Sequence, residues 1–329
     1  MNFRRRLLAA TLTATTLSTL GFALPSTALA QSAAWPTRPV KLIVGFPGGS
    51  TPDIAARVLA DSLARELGQP VIIENKPGAS GNLAADQVAK ATDDHTLGVV
   101  INGNLTTSKL LNSKLPFDPG TDFTLLSLIA TAPLVLVTPA NLPEGKAFIA
   151  AAQKAGNEWN YGSVGVGSVG HLGMALIQSR VPGMAAVHVP YNGNPAVVGA
   201  LISGQIQMAL MPPGIALPQV KAGKLHAVGL AGGRSVLAPD VAPLADLGVK
   251  MPPLEVWVAL VGPANLSKAA QARLAATVPK LVRGGEVRQR LFNAGWQAQG
   301  SLPEVLRARV KSEVALLGGI IQSQHITIQ

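Results

Sequence analysis

The sequence predicts an α/β chain folded as two lobes with a ligand cleft between them. Three observations predict it. Short apolar, β-rich runs alternate with helical periodicity over about 41–101, and again over about 146–230. The first series breaks off near 132 and a long apolar strand returns near 254, so two crossings join the lobes and form a hinge. Two glycine-rich turns, at 46–53 and 161–171, each stand between a strand and a helix, one turn in each lobe.

Taken in order, Lys41-Leu42-Ile43-Val44-Gly45-Phe46 reads as a buried strand. Pro52 suits a first helical turn, Ile54, Val58, Leu59, Leu63 and Leu67 recur at helical spacing, and Gly68 ends that helix. A strand at 71–74 follows, then a turn at 77–81, with Asn82 as cap of a helix running to about 91. The strand at 96–101 leads into the polar run 102–107 and a short helix. Further strands are expected at 134–137, 159–161, 187–189, 208–210, 226–230 and 256–261. Helices are expected at about 146–155, 169–179, 195–202, 214–222, 267–282, 286–294 and from 303 onward. The sheets should be mostly parallel, with ligands at the carboxyl ends of their strands. The expected division is 31–132 with 254–329 in one lobe and 133–253 in the other.

Residues 1–30 carry an export signal pattern. Arg4-Arg5-Arg6 is a positive start, 7–24 is apolar or small, and Ala28-Leu29-Ala30 fits a small-x-small cleavage site. The expected location is the periplasm, with cleavage near Ala30. Arg4-Arg5-x-Leu7-Leu8 also partly matches a twin-arginine signal. No later stretch runs to 18 uninterrupted apolar residues.

Composition excludes several functions. There is no cysteine, hence no disulfide, thiolate metal site or cysteine nucleophile. The formal charge is +10, three of it in Arg4, Arg5 and Arg6. The remaining basic residues are scattered, without the clusters of a nucleic-acid binder. The five histidines form no i,i+4 pair, so no metal is expected. Gly165-Val166-Gly167-Ser168-Val169-Gly170 matches G-x-G-x-x-G, but no acidic residue follows between 180 and 195, which argues against a dinucleotide; no cofactor is expected. Neither Ser163 nor Ser168 sits in G-x-S-x-G. A serine hydrolase would need His171 or His188 and a carboxylate from the other lobe. The chain is therefore read as a binding protein, not an enzyme.

Strand, glycine turn, helix is an arrangement that aims backbone N–H groups at an anion. No acidic residue lies between Glu158 and Asp240, so an anion at the second turn meets little like charge. His171 either closes its turn or touches the ligand. Tyr191 either lines the cleft or packs the lobe edge. Asp53 is suited to stabilising the start of its helix.

These residues resemble a family. Trp35-Pro36-Thr37-Arg38-Pro39-Val40, the Pro-Gly-Gly turn followed by Asp53 and Arg57, and 74–82 are similar to the periplasmic receptors of tripartite tricarboxylate transporters, the Bug-type receptors. So are Leu115-Pro116-Phe117-Asp118-Pro119 with Asp122-Phe123, 161–172, Val189-Pro190-Tyr191-Asn192-Gly193, Gly204-Gln205 and Gly223-Lys224-Leu225. The resemblance spans nearly the whole mature chain. It implies a type II periplasmic-binding-protein fold closing on a small carboxylate or dicarboxylate, a monomeric receptor, and delivery to membrane subunits of a tripartite transporter. A role in reporting ligand to a signalling partner is the alternative. It also implies that the ligand is held by Phe46, Pro47, Gly48, Gly49, Ser50 and Thr51 from one lobe and by Ser163, Gly165, Val166, Gly167 and Ser168 from the other. Asn82, Asn102, His171 and Tyr191 complete the candidate set. The chain departs from the family pattern in three places. Its Gly-Gly comes one place early, with Pro52 before Asp53. Gln207 and Met211-Pro212 stand where acidic residues are usual. Pro243-Leu244-Ala245-Asp246 replaces a Pro-Thr-x-x-Glu segment.

Overall fold

The computed structural model describes residues 35–327; the export signal at 1–30 lies outside the described residues. The chain begins β1 (Val40–Val44), α1 (Thr51–Leu67), β2 (Val71–Asn75), α2 (Asn82–Ala89), β3 (Thr96–Ile101), α3 (Asn102–Leu105), α4 (Thr107–Leu111) and β4 (Phe123–Pro133). It continues with β5 (Val135–Pro139), α5 (Gly145–Ala155), β6 (Asn160–Ser163), α6 (Val169–Arg180), β7 (Val187–Pro190), α7 (Asn194–Ile202), β8 (Met208–Met211), α8 (Pro213–Lys221) and β9 (Leu225–Leu230). It ends with β10 (Glu255–Pro263), α9 (Lys268–Arg283), α10 (Gly285–Asn293), β11 (Gln297–Ala298) and α11 (Pro303–Ser323).

The strands form two sheets, ordered β11-β4-β10-β3-β1-β2 and β7-β6-β8-β5-β9. Side-chain alternation explains why both faces of each are covered. In the first sheet, Leu42, Val44, Val258 and Leu260 point into the core under α1, α9 and α10. Their neighbours Ile43, Trp257, Ala259 and Val261 point into a separate core with α2 residues Ala84, Ala85 and Val88. In the second, Leu136, Met208 and Leu210 meet α5 and α6, while Val135, Val137, Ala209 and Met211 meet α7 and α8. Helix α11 serves both sheets: Leu306 joins the second core of the first sheet, and Leu317, Ile320 and Ile321 join a core of the second.

Three expectations need correction. The sheets are mixed rather than mostly parallel: β10 runs antiparallel to β3 and β4, and β5 runs antiparallel to β8 and β9. These are strands at the crossings. A strand that arrives directly from the other sheet enters from the opposite end, so it opposes the βαβ strands beside it. Strands β4 and β11 were not anticipated; β4 is buried along most of its length and shows no alternation to mark it. Asn82 does not cap α2. Gly81 holds the N-cap position at φ 87°, and the Asn82 side-chain oxygen accepts from Asn104 Nδ2 and Ser108 Oγ, each at 2.9 Å.

Candidate ligand-binding site

The site is built from strand ends. β1 delivers the chain into the turn before α1. There Gly49 N donates to Asp53 Oδ2 (2.9 Å) and Ser50 Oγ to the Pro47 carbonyl (2.6 Å). Gly49 has φ 76°, a conformation that glycine adopts without strain. Asp53 also accepts from Arg57 Nε and Asn75 Nδ2, both at 2.9 Å. Burial alone would raise the pKa of Asp53. The bonds from Arg57, Asn75 and the Gly49 amide outweigh that and hold it below its ordinary value. Asp53 thus faces its own loop, and its charge is matched there.

The second turn is folded by its own polar side chains. Ser168 caps α6, accepting from the His171 amide (3.3 Å) and donating to the Gly165 carbonyl (2.7 Å). Ser163 Oγ accepts from Gly165 N (3.1 Å) and lies 2.7 Å from His188 Nε2. Gly167 N donates to His171 Nδ1 (3.1 Å), so that nitrogen carries no proton. The His171 and His188 rings stack at 3.9 Å, and Tyr161 lies against them. Burial lowers the pKa of His171 to about 4. Burial, and then the neighbouring His171, lowers that of His188 to about 3.

The two turns meet. Thr51 Oγ1 donates to Asn194 Oδ1 (2.6 Å), and Thr107 Oγ1 donates to the Gly167 carbonyl (2.7 Å). Between them lies a cavity of about 40 Å³, room for on the order of three water-sized groups. Four helices of two turns or more start on it: α1 through Thr51 and Pro52, α6 through Ser168, Val169 and Gly170, α7 through Asn194, and α8 through Met211 and Pro212. Helix starts carry partial positive charge and unpaired N–H groups. The remaining wall is mainly apolar, from Phe46, Ile101, Leu134, Val164, Val197, Leu210 and Val256. Among the described residues, no Asp, Glu, Lys, Arg or His lines the cavity. Such a space favours an anion through helix dipoles and accepts an apolar body beside it.

Among the sequence candidates, Phe46, Thr51, Asn102, Ser163 and Ser168 line this cavity. Pro47, Gly48, Gly49, Ser50, Gly165, Val166, Gly167 and His171 shape the two turns and stand outside its lining. Asn82 lies in the network with Asn104 described above. Tyr191 packs with Val197 and Ile206 in a core of the second sheet. Sequence reasoning missed Asn194 and, apart from Phe46, the apolar wall. The Gly193-Asn194-Pro195 step, a polar residue before proline at a helix start, is the signal that marks Asn194. Met211, Pro212 and Pro52, three of the departures from the family pattern, do line the cavity.

A model of the TctC family, the tripartite tricarboxylate transporter family receptors, matches residues 55–325. The chain belongs to this receptor family. It is 30% identical over 316 residues to a UPF0065 protein encoded in the tcbD–tcbE intergenic region of Pseudomonas sp. strain P51, covering 94% of this chain and 91% of that one. MatC from Rhodopseudomonas palustris, solved with bound malate, superposes with a TM-score of 0.81 at 29% identity, covering 87% of this chain and 99% of its own. R. palustris Rpa4515, solved with adipate, gives 0.85 at 28% identity, covering 89% and 99%. The fold is the two-lobed α/β architecture of these periplasmic binding proteins.

Proposed function

We propose that this receptor is exported to the periplasm, loses its first 30 residues or so, and binds one small organic carboxylate or dicarboxylate between its lobes. The lobes are 31–132 with 254–329, and 133–253. The protein acts as a monomer and passes its ligand to the membrane subunits of a tripartite transporter. It catalyses no reaction. The observation that carries this reading is the convergence of the α1, α6, α7 and α8 starts, from both sheets, on one cavity that, among the described residues, no acidic side chain lines. The malate and adipate held by the two R. palustris relatives support the ligand class. Among the described residues, no helix is long and apolar enough to cross a membrane.

Binding to the folded state alone stabilises it by mass action, about 2.7 kcal/mol at a hundredfold excess over Kd. Protein unfolded, freed of carried-over ligand and refolded should therefore melt higher with at least one acid from a panel of mono- and dicarboxylates. No shift with any of them would remove the carboxylate reading.

One contact favours a second reading. Ser163 Oγ and His188 Nε2, at 2.7 Å, have the geometry of a nucleophile and base. Yet no Asp or Glu among the described residues hydrogen-bonds His188, and a base with a pKa near 3 is poorly matched to neutral pH. Turnover of aryl esters that is lost in Ser163→Ala would revive this reading.

A further inference from the structure

Asn102 is 1% exposed and lines the ligand cavity at the first turn of α3. Its Nδ2 donates to the Glu255 carbonyl (3.1 Å) and to Glu313 Oε1 (2.6 Å). Both partners are acceptors only, so chemistry fixes which end of the amide faces them. Glu313 is itself clamped, because its Oε2 accepts from Trp257 Nε1 (2.6 Å) and Arg309 Nε (3.1 Å). The amide therefore cannot turn over without breaking two bonds. Its Oδ1 is buried and has no hydrogen-bond partner among the described residues. A buried carbonyl oxygen left unpaired is costly, and a ligand group that pairs with it is favoured over one that cannot.

We propose that Asn102 Oδ1 is a specificity-determining acceptor, and that the preferred ligand is an organic acid carrying a hydrogen-bond donor, a hydroxyl, in addition to its carboxylate. This rests on the carboxylate reading above. The helix starts take the carboxylate, and Asn102 takes the hydroxyl proton. Glu313 is the positioning residue that holds the amide in this orientation, with Oδ1 left free to accept. A simple dicarboxylate offers two acceptors at neutral pH and leaves Oδ1 unmet.

The test is calorimetric titration of the ligand-stripped protein with matched pairs: glycolate and acetate, lactate and propionate, 3-hydroxybutyrate and butyrate, malate and succinate. In at least one pair the hydroxy acid should bind roughly ten- to a hundredfold more tightly. Asn102→Ala should bring that ratio close to one while the plain acid still binds. Glu313→Ala should also lower the ratio, a change that loss of packing alone would not produce. If acids bind wild-type protein but hydroxy and plain members bind alike, the proposal fails and the carboxylate reading stands. If the preference survives in Asn102→Ala, the acceptor is elsewhere and the proposal fails. If none of the acids binds, the carboxylate reading fails and the proposal with it. The wild-type comparison decides even if a variant does not fold.

Discussion

The Thr51 hydroxyl donates to the Asn194 side-chain oxygen across 2.6 Å, and both residues are buried. Thr51 begins α1 beside the first sheet, and Asn194 begins α7 beside the second. The bond fastens two helix starts together over the cavity. Thr51→Val keeps the shape and removes the donor. It leaves Asn194 Oδ1 with only a long contact from the Thr51 amide, at 3.4 Å. We expect ligand affinity to fall about five- to tenfold, equivalent to roughly 1–1.5 kcal/mol, while the ligand-free melting temperature changes little. Calorimetry and melting curves on both proteins check this.

A second contact across the sheets is made by backbone alone. A Cβ on Gly214, at the start of α8, would overlap the Ala294 carbonyl oxygen after α10. The Gly214 backbone lies in no region reserved for glycine, so alanine is acceptable there in itself. Gly214→Ala should therefore hold the two sheets apart. The expected result is weaker ligand binding and a larger radius of gyration by small-angle scattering in the presence of ligand. Unchanged affinity would mean that this contact is irrelevant to closure.

Asp53 supplies a pH-dependent part of stability. Its folded pKa lies below its ordinary value, so its contribution is fully present above the unfolded pKa and is lost as pH falls through the folded one. Asp53→Asn should cost about 1–2 kcal/mol at pH 7 and progressively less below about pH 4. Denaturant unfolding at several pH values measures both.

The buried histidines act over a different window. Both are neutral when folded and titrate near 6.5 when unfolded. Between about pH 6.5 and 4 the unfolded state binds more protons, so stability drops as the pH is lowered, by up to about 1.4 kcal/mol per pH unit for each histidine. His188→Gln keeps a hydrogen-bond partner for Ser163 and removes one titrating group. Its stability should depend less steeply on pH over that window than that of the wild type.

Much of the fold was legible in the sequence because local patterns and burial agree. The run Thr96–Ile101 is apolar and β-rich, and it forms β3. Gly68 ends α1 at φ 69°, where a left-handed residue was needed. Strand β4 was not legible. Phe123–Pro133 is buried on both faces and leads directly into β5, with only Leu134 between two strands of different sheets. Nothing local tells such a run to change sheets. The polar half of the cavity was also partly legible, since Thr51, Asn102, Ser163 and Ser168 stand at strand-to-helix turns. The apolar half, Phe46 apart, was not. Leu210 and Val256 line the cavity yet also pack in the cores, and no sequence pattern separates those two roles.

The most direct test of the central claim is a crystal structure of the ligand-stripped protein with the tightest-binding acid of the panel. The account predicts the carboxylate at the starts of α1 and α6, within hydrogen-bond distance of backbone N–H groups from both lobes, in the cavity bounded by Thr51 and Asn194. An acid bound instead in the groove beside α8, near Leu217 and Phe292, would contradict it.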